Sequence, residues 1–315
     1  MARDIPPDGD YRWHGRIARL WNGTPIEVDP GDMIGSHILR YGGVWEPETA
    51  SFFLSWLRPG MTFVDAGAHV GYYTLLASGI VAVGGRVVAF EPHPVLGQVL
   101  RRNIERAGCA NVTVSSLALG RANGTAELVL HPRGNFGGSS LRADGETGRP
   151  RAPVEVTTLD DYLERAGVPT VDVVKLDVEG AEPDVIEGAG HTLAANPHIV
   201  LVVEFLRENA RRFGRDVEDT EARLRELGFL LFTLTPDGPR PYEPVGELAT
   251  NVVAVRRLIT LLLGLPEPVA AATLVRLART RARSARSPSR QGFPQPGGNP
   301  PLHEGGSPAG QGPAE

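Results

Sequence analysis

"FVDAGAHVGYYT" (residues 63–74) begins as an apolar strand, stops at an acidic residue, turns through glycine and enters a helix. Asp65 ends the strand, Gly67 and Gly71 follow, and "YYTLLASGIVA" (72–82) continues as an apolar helix. A strand, a glycine turn and a helix in that order open a parallel α/β unit. Such sheets bind ligands beyond the carboxyl ends of their strands. Gly67 permits a tight turn and lets a ligand lie against bare backbone. The helix start after Gly71 offers unpaired N–H groups.

The ligand follows from what the loop lacks. A dinucleotide loop reads G-x-G-x-x-G. This one reads D-x-G-x-x-x-G, with Ala68 and His69 in the gap. A carboxylate at Asp65 would repel a pyrophosphate, but it suits the ammonium of an amino acid, directly or through water. Glu91 closes the next strand, "RVVAFE" (86–91), where an acidic side chain suits ribose hydroxyls. A molecule with both a ribose and an amino-acid end is S-adenosylmethionine. The competing reading makes Asp65 and Glu91 helix-capping carboxylates. Their matched places on neighbouring strands favour the ligand.

Further strands are expected at "VTVSSL" (112–117), "VDVVKLD" (171–177), "HIVLVVEF" (198–205), "FLLFTL" (229–234) and "NVVAVRR" (251–257). Helical patterns fall at 95–108, 159–166, 183–194 and 216–227, the second opened by Thr158 and Asp161 in a capping-box pattern. Near-continuous apolar strands alternating with helices imply a mostly parallel sheet covered on both faces. Between 124 and 158, "GTAELVLH" and "PVEVTT" flank a loop and predict a β-hairpin off the sheet. Residues 1–58 read as an N-terminal arm or cap and 59–257 as the main domain. Residues 258–280 read as a helical segment. Residues 281–315 carry seven Pro and seven Gly in 35 positions. That proportion exceeds the roughly 25–30% at which an unrepeated segment is read as disordered.

The net charge of −5 provides no general footprint for nucleic acid. One cysteine, Cys109, rules out an internal disulfide and a Cys-rich zinc site. A polar N-terminus without a signal-peptide core and a longest late apolar run of eight residues, "LITLLLGL" (258–265), predict a cytoplasmic protein without a membrane span.

A second site is expected in "VDVVKLDVEGAEPDV" (171–185). Lys175 is the only lysine among 32 Lys and Arg residues. Side chains alternate along a strand, so Lys175, Asp177 and Glu179 share one face while the strand persists. One reading is a Lys175–Asp177 ion pair satisfying the sheet edge. The sharper one notes that arginine is always charged, whereas lysine is a compact ammonium whose pKa shifts when buried. In-line displacement at a sulfonium carbon needs alignment, and an acceptor that must lose a proton needs a base. Asp177 or Glu179 could be that base. Glu204 adds a third carboxylate that could join them around Mg²⁺. A base or positioning role is preferred to the metal. Tyr41, Trp45 and Glu46 in "RYGGVWEPE" (40–48) are candidates for an acceptor cap, or for packing of the arm. "GNFGGSSL" (134–141) reads as a mobile lid or a plain surface loop.

"FVDAGAHVGYYT", "VVAFEPHP", "VTVSSLALG", "TTLDDYL" and "VVKLDVEGAEPDVIEGA", in that order and spacing, resemble the FkbM-type S-adenosylmethionine-dependent methyltransferases over about 60–206. The resemblance implies the class I methyltransferase fold, a Rossmann-like sheet of seven strands, six parallel and one antiparallel. It implies methyl transfer, usually to oxygen of a small natural product or saccharide. By position, Asp65, Gly67, Ala68, His69 and Gly71 would line the methionine end, with Asp177 beside them. Glu91 would hold the ribose, and Ser116 and Leu117 would border the adenine. His69 and His93 stand where asparagine or another small polar residue is more usual.

Two other functions compete. A nucleotide-dependent oxidoreductase would want the missing glycine. A non-catalytic cofactor-binding scaffold in a biosynthetic assembly would bind the donor without turnover. A nucleic-acid base methylase is disfavoured, because the strand ends in "KLDVEG" rather than an Asn-Pro-Pro-aromatic turn.

Overall fold

The computed structural model describes residues 12–141, 148–244 and 250–256. The expected helical segment 258–280 and tail 281–315 lie outside these residues. In chain order the strands are β1 (Arg16–Arg19), β2 (Pro25–Val28), β3 (Thr62–Ala66), β4 (Arg86–Phe90), β5 (Val112–Ser115), β6 (Ala118–Leu119), β7 (Gly124–Val129), β8 (Arg151–Thr157), β9 (Val173–Leu176), β10 (Val200–Phe205), β11 (Phe229–Thr233), β12 (Arg240–Pro241) and β13 (Thr250–Arg256). The helices are α1 (Met33–Arg40), α2 (Pro47–Trp56), α3 (Tyr72–Val81), α4 (Pro94–Ala107), α5 (Leu159–Arg165), α6 (Glu182–Glu187), α7 (Gly190–Ala195), α8 (Arg207–Arg212) and α9 (Val217–Glu226).

The main sheet runs β12-β11-β13-β10-β9-β3-β4-β5. β5, β4, β3, β9, β10 and β11 point one way, and β13 is antiparallel to both its neighbours. This is the expected set of six parallel strands and one antiparallel. The sheet has eight strands rather than seven, because the two-residue β12 pairs with the edge of β11. The reversal between β3, which turns to β4 on one side, and β9 on the other places a crevice at the centre of the sheet.

Each face is buried under helices. Phe63, Val87, Val173 and Val202 pack with the N-terminal arm, α3 and α4, whereas Val64, Val88, Val174 and Leu201 pack with the opposite layer. Lys175 and Asp65 fall on the first of these faces by alternation, and they are paired in the β3–β9 register. The 183–194 helix divides into α6 and α7 at Gly188, where an added Cβ would lie 2.2 Å from the Gly120 carbonyl oxygen. The hairpin β7–β8 forms as expected and gains a third strand, β6, parallel to β8. Strand β5 is shorter than its apolar run, because the Ser115 hydroxyl accepts from Leu117 N at 3.2 Å and turns the chain towards β6. Thr158 caps α5 by accepting from Asp161 N at 3.0 Å.

Candidate active site

A cleft, partly open to solvent, lies at the carboxyl ends of β3, β4 and β9. Its lining includes Gly67, His69, Asp177 and Glu179 and the apolar Leu117, Ala118, Leu119, Leu128 and Leu141. Glu91 and His93 also line it, with Phe136 and Gly137 of the 134–141 loop.

The Glu91 carboxylate accepts from His69 N at 2.7 Å and from His93 N at 2.8 Å. It thus ties together the turns after β3 and β4. Burial pushes its pKa up to about 7, although those two amides oppose the shift. It is not a helix cap. The cap of α4 is His93, and that of α3 is Gly71.

Asp65 lies behind the cleft. It is 1% exposed and accepts from the Thr74 hydroxyl, in the first turn of α3, at 2.6 Å. Burial raises its pKa, while Lys175 opposes the rise. Ala68 is buried in the core beneath the loop, and Ser116 is exposed and off the cleft. Gly71 is also off it. Its φ of 95° and the methyl group of Leu100, 2.5 Å from where a Cβ would sit, demand glycine. Gly67 lines the cleft, but its need for glycine comes from protein. With φ 81°, an added Cβ would sit 1.7 Å from the Asp177 carbonyl oxygen.

Lys175 Nζ meets Asp177 Oδ2 at 2.7 Å and lies 4.9 Å from the centre of the Tyr73 ring. Lys175 is 2% exposed. Burial alone would push its ammonium down, but Asp177, Glu46 and Asp65 more than reverse that and raise its pKa. The lone lysine is therefore the cation at the centre of a carboxylate cluster. A guanidinium would bring five donors to the same buried slot.

Asp177, Glu179 and Glu204 offer three oxygens within 4.8 Å of one another. Glu179 stands at φ 56°, and its carboxylate accepts from Asn209 Nδ2 at 2.7 Å. Burial, then Asp177 and Glu182, raise it to about 8. Glu204 is also raised, by burial first and then by Asp177 and Glu179. These three could hold a divalent cation through oxygen alone.

Of the expected acceptor cap, only Glu46 reaches the cluster. It accepts from Tyr73 OH at 2.6 Å and from Asn251 Nδ2 at 2.9 Å. Tyr41 and Trp45 pack on His37 within the arm. The 134–141 loop packs as one wall of the cleft. Phe136 is fully buried, its N–H donates to Asp32 Oδ1 at 3.1 Å, and Ser140 donates to the Glu179 carbonyl at 2.9 Å. Neither Asp32 nor Phe136 is legible as a site residue from sequence. They are distant in the chain and meet only when the arm folds over the cleft.

The buried glutamates make the protein sensitive to alkali. Glu91 and Glu182 rise from 4.5 to about 7, and Glu179 to about 8. A raised acid binds more protons folded than unfolded, so stability is highest at or below the unfolded value and falls as pH climbs through the folded one. Buried His69 and His93, held neutral in the fold, oppose this below about pH 6.5, so the melting temperature of the unliganded protein is expected to fall between about pH 6.5 and pH 8. A flat or rising profile from calorimetry would contradict this environment.

The profile of the Methyltransferase FkbM domain matches residues 65–231. "Methyltransferase 1" of Beauveria bassiana is 30% identical over 196 residues, covering 56% of this chain and 76% of that protein. "Hexuronic acid methyltransferase AglP" of Haloferax volcanii is 26% identical over 142 residues, covering 44% of this chain and 54% of that one. Among solved structures, the O-methyltransferase from Bacillus cereus in complex with SAH is 16% identical, with 68% of this chain and 83% of that chain covered and a TM-score of 0.41. That likeness is loose, and the strand order carries the fold. The fold and the cleft define a class I methyltransferase that uses S-adenosylmethionine. The chain belongs to the FkbM methyltransferase family. Among the described residues, no helix is long and apolar enough to cross a membrane.

The site suits that donor. Its lining combines the acidic Glu91, Asp177 and Glu179 with apolar side chains such as Leu96, Leu117 and Leu128. When bound, the donor supplies an electrophilic methyl group on a sulfonium.

Proposed function

We propose that this enzyme methylates a hydroxyl oxygen of a small molecule, a natural product or a saccharide. The acceptor would bind where β9 and β10 end, next to the cleft that takes the donor. The observation that carries this reading is the convergence of Asp177, Glu179 and Glu204 beside a buried Lys175, with Asp177 and Glu179 on the cleft. The hexuronic-acid relative supports an acceptor rich in hydroxyls.

Each residue then has a role. Glu179, held at about 8, takes the acceptor's proton as its oxygen bonds to the methyl carbon and the carbon–sulfur bond breaks. Asn209 holds Glu179 in position. Lys175 fixes Asp177 on the cleft through their 2.7 Å ion pair, where a carboxylate favours the sulfonium. Glu91 and the apolar lining hold the nucleoside. A base must be ionised to act. The kcat/KM profile is therefore expected to rise with pH and level off near about 8, and Glu179→Gln should flatten it and lower the plateau about 10²-fold or more. A wild-type rise retained in Glu179→Gln would remove Glu179 as base.

A second reading has its own support. The three oxygens within 4.8 Å match what a divalent cation takes from carboxylates. It forecasts that EDTA abolishes turnover and Mg²⁺ restores it. The base reading forecasts turnover indifferent to EDTA.

A further inference from the structure

His93 carries a buried donor that the protein does not use. It precedes Pro94 and caps α4, its Nδ1 accepting from Val95 N at 3.2 Å and Leu96 N at 3.3 Å. A nitrogen that accepts two amide bonds carries no proton. Burial, with a lesser push from His69, holds the ring's pKa down at about 3, so at neutral pH the imidazole is uncharged. The single ring proton is therefore on Nε2. His93 is 2% exposed, yet Nε2 has no hydrogen-bond partner in the protein. A buried N–H without a partner is costly and uncommon. The residue lines the cleft, with the Phe136 ring edge-on at 6.0 Å and Glu91, two residues earlier, on the same wall.

We propose that His93 Nε2–H donates a hydrogen bond to a ribose hydroxyl oxygen of the bound nucleoside. The inference rests on the reading of this cleft as the donor's site. A hydroxyl both gives and takes a hydrogen bond. Glu91, when ionised, only accepts from it. His93 supplies the complementary donor, so the two together read a hydroxyl where either alone would tolerate other groups. The capping duty of Nδ1 makes the reading rigid, because it fixes the tautomer and aims the other nitrogen.

The same double duty makes the test clean. In His93→Asn the amide oxygen stands where Nδ1 stood and preserves the cap, while the donor is withdrawn by roughly the width of the ring. Calorimetry with S-adenosylhomocysteine and its 2′-deoxy and 3′-deoxy analogues, on wild type and His93→Asn, separates the roles. The variant is expected to melt close to wild type and to bind S-adenosylhomocysteine about five- to twentyfold more weakly. One deoxy analogue should lose a similar factor on wild type and much less on the variant. Unchanged affinity in a folded His93→Asn, or equal discrimination by both proteins, overturns the hydroxyl contact while leaving the donor site standing. Wild type that binds no S-adenosylhomocysteine overturns the donor site itself, and this contact with it. His93→Ala, which loses cap and donor together, should fall in both melting temperature and affinity. A loss of affinity only in His93→Ala would mark His93 as a cap alone.

Discussion

Asp177→Asn is expected to cut the initial rate of S-adenosylhomocysteine formation by about 10²–10⁴ while the protein remains folded. The side chain sits just past the end of β9, on the cleft, paired with Lys175 at 2.7 Å and grouped with Glu179 and Glu204. Asparagine keeps the shape and can still accept from the ammonium. It loses the charge that faces a sulfonium, and it leaves Lys175 to bias Glu46 and Asp65 instead. Lys175→Arg should also lose activity, because a planar guanidinium cannot occupy the slot under Tyr73 without moving Asp177. Rate and melting temperature are to be measured side by side, with and without EDTA. Folded variants that turn over at the wild-type rate would refute the role and leave the lysine as a packing choice. Variants that melt early, with rate lost only in proportion to folded protein, would assign the pair to stability.

Gly67→Ala is expected to destabilise the fold by about 3 kcal/mol or more, a larger effect than on ligand contacts alone. Two costs add. The residue sits at φ 81°, where a side chain is strained, and the new Cβ would fall 1.7 Å from the Asp177 carbonyl oxygen. That oxygen is backbone, so no rotamer change can relieve the clash. The β3 turn and the end of β9 would have to part, and both carry the site. If glycine were needed only for a ligand's approach, the variant would melt as wild type and lose affinity alone. Chemical denaturation beside S-adenosylhomocysteine titration distinguishes the two. A stability loss below about 1 kcal/mol would refute the packing argument.

Much of this protein was legible in the chain. Periodicity marked the strands, glycines and acidic residues marked their carboxyl ends, and order along the sequence implied the parallel sheet. The singular Lys175 pointed to a buried charge, and strand ends put Asp177 and Glu204 at one edge, but alternation stops where β9 ends at Leu176, and a turn with Glu179 at φ 56° brings the third carboxylate beside them. Gly67, Asp65 and His93 show where that reading stops. A glycine after a strand announces a tight turn, but only the packing of β9 against β3 decides that backbone, not ligand, fills the missing side chain's place. Asp65 reads as a ligand-facing carboxylate, yet the first turn of α3 folds over it. His93 reads as an oddity before a proline. Only the helix it caps and the wall it lines determine which nitrogen is left to donate. Pattern along the chain sets which elements form and which way their residues face. Which partner meets each polar group depends on residues far away in sequence, and a hydrogen bond is decided by tenths of an ångström that only the packed molecule defines.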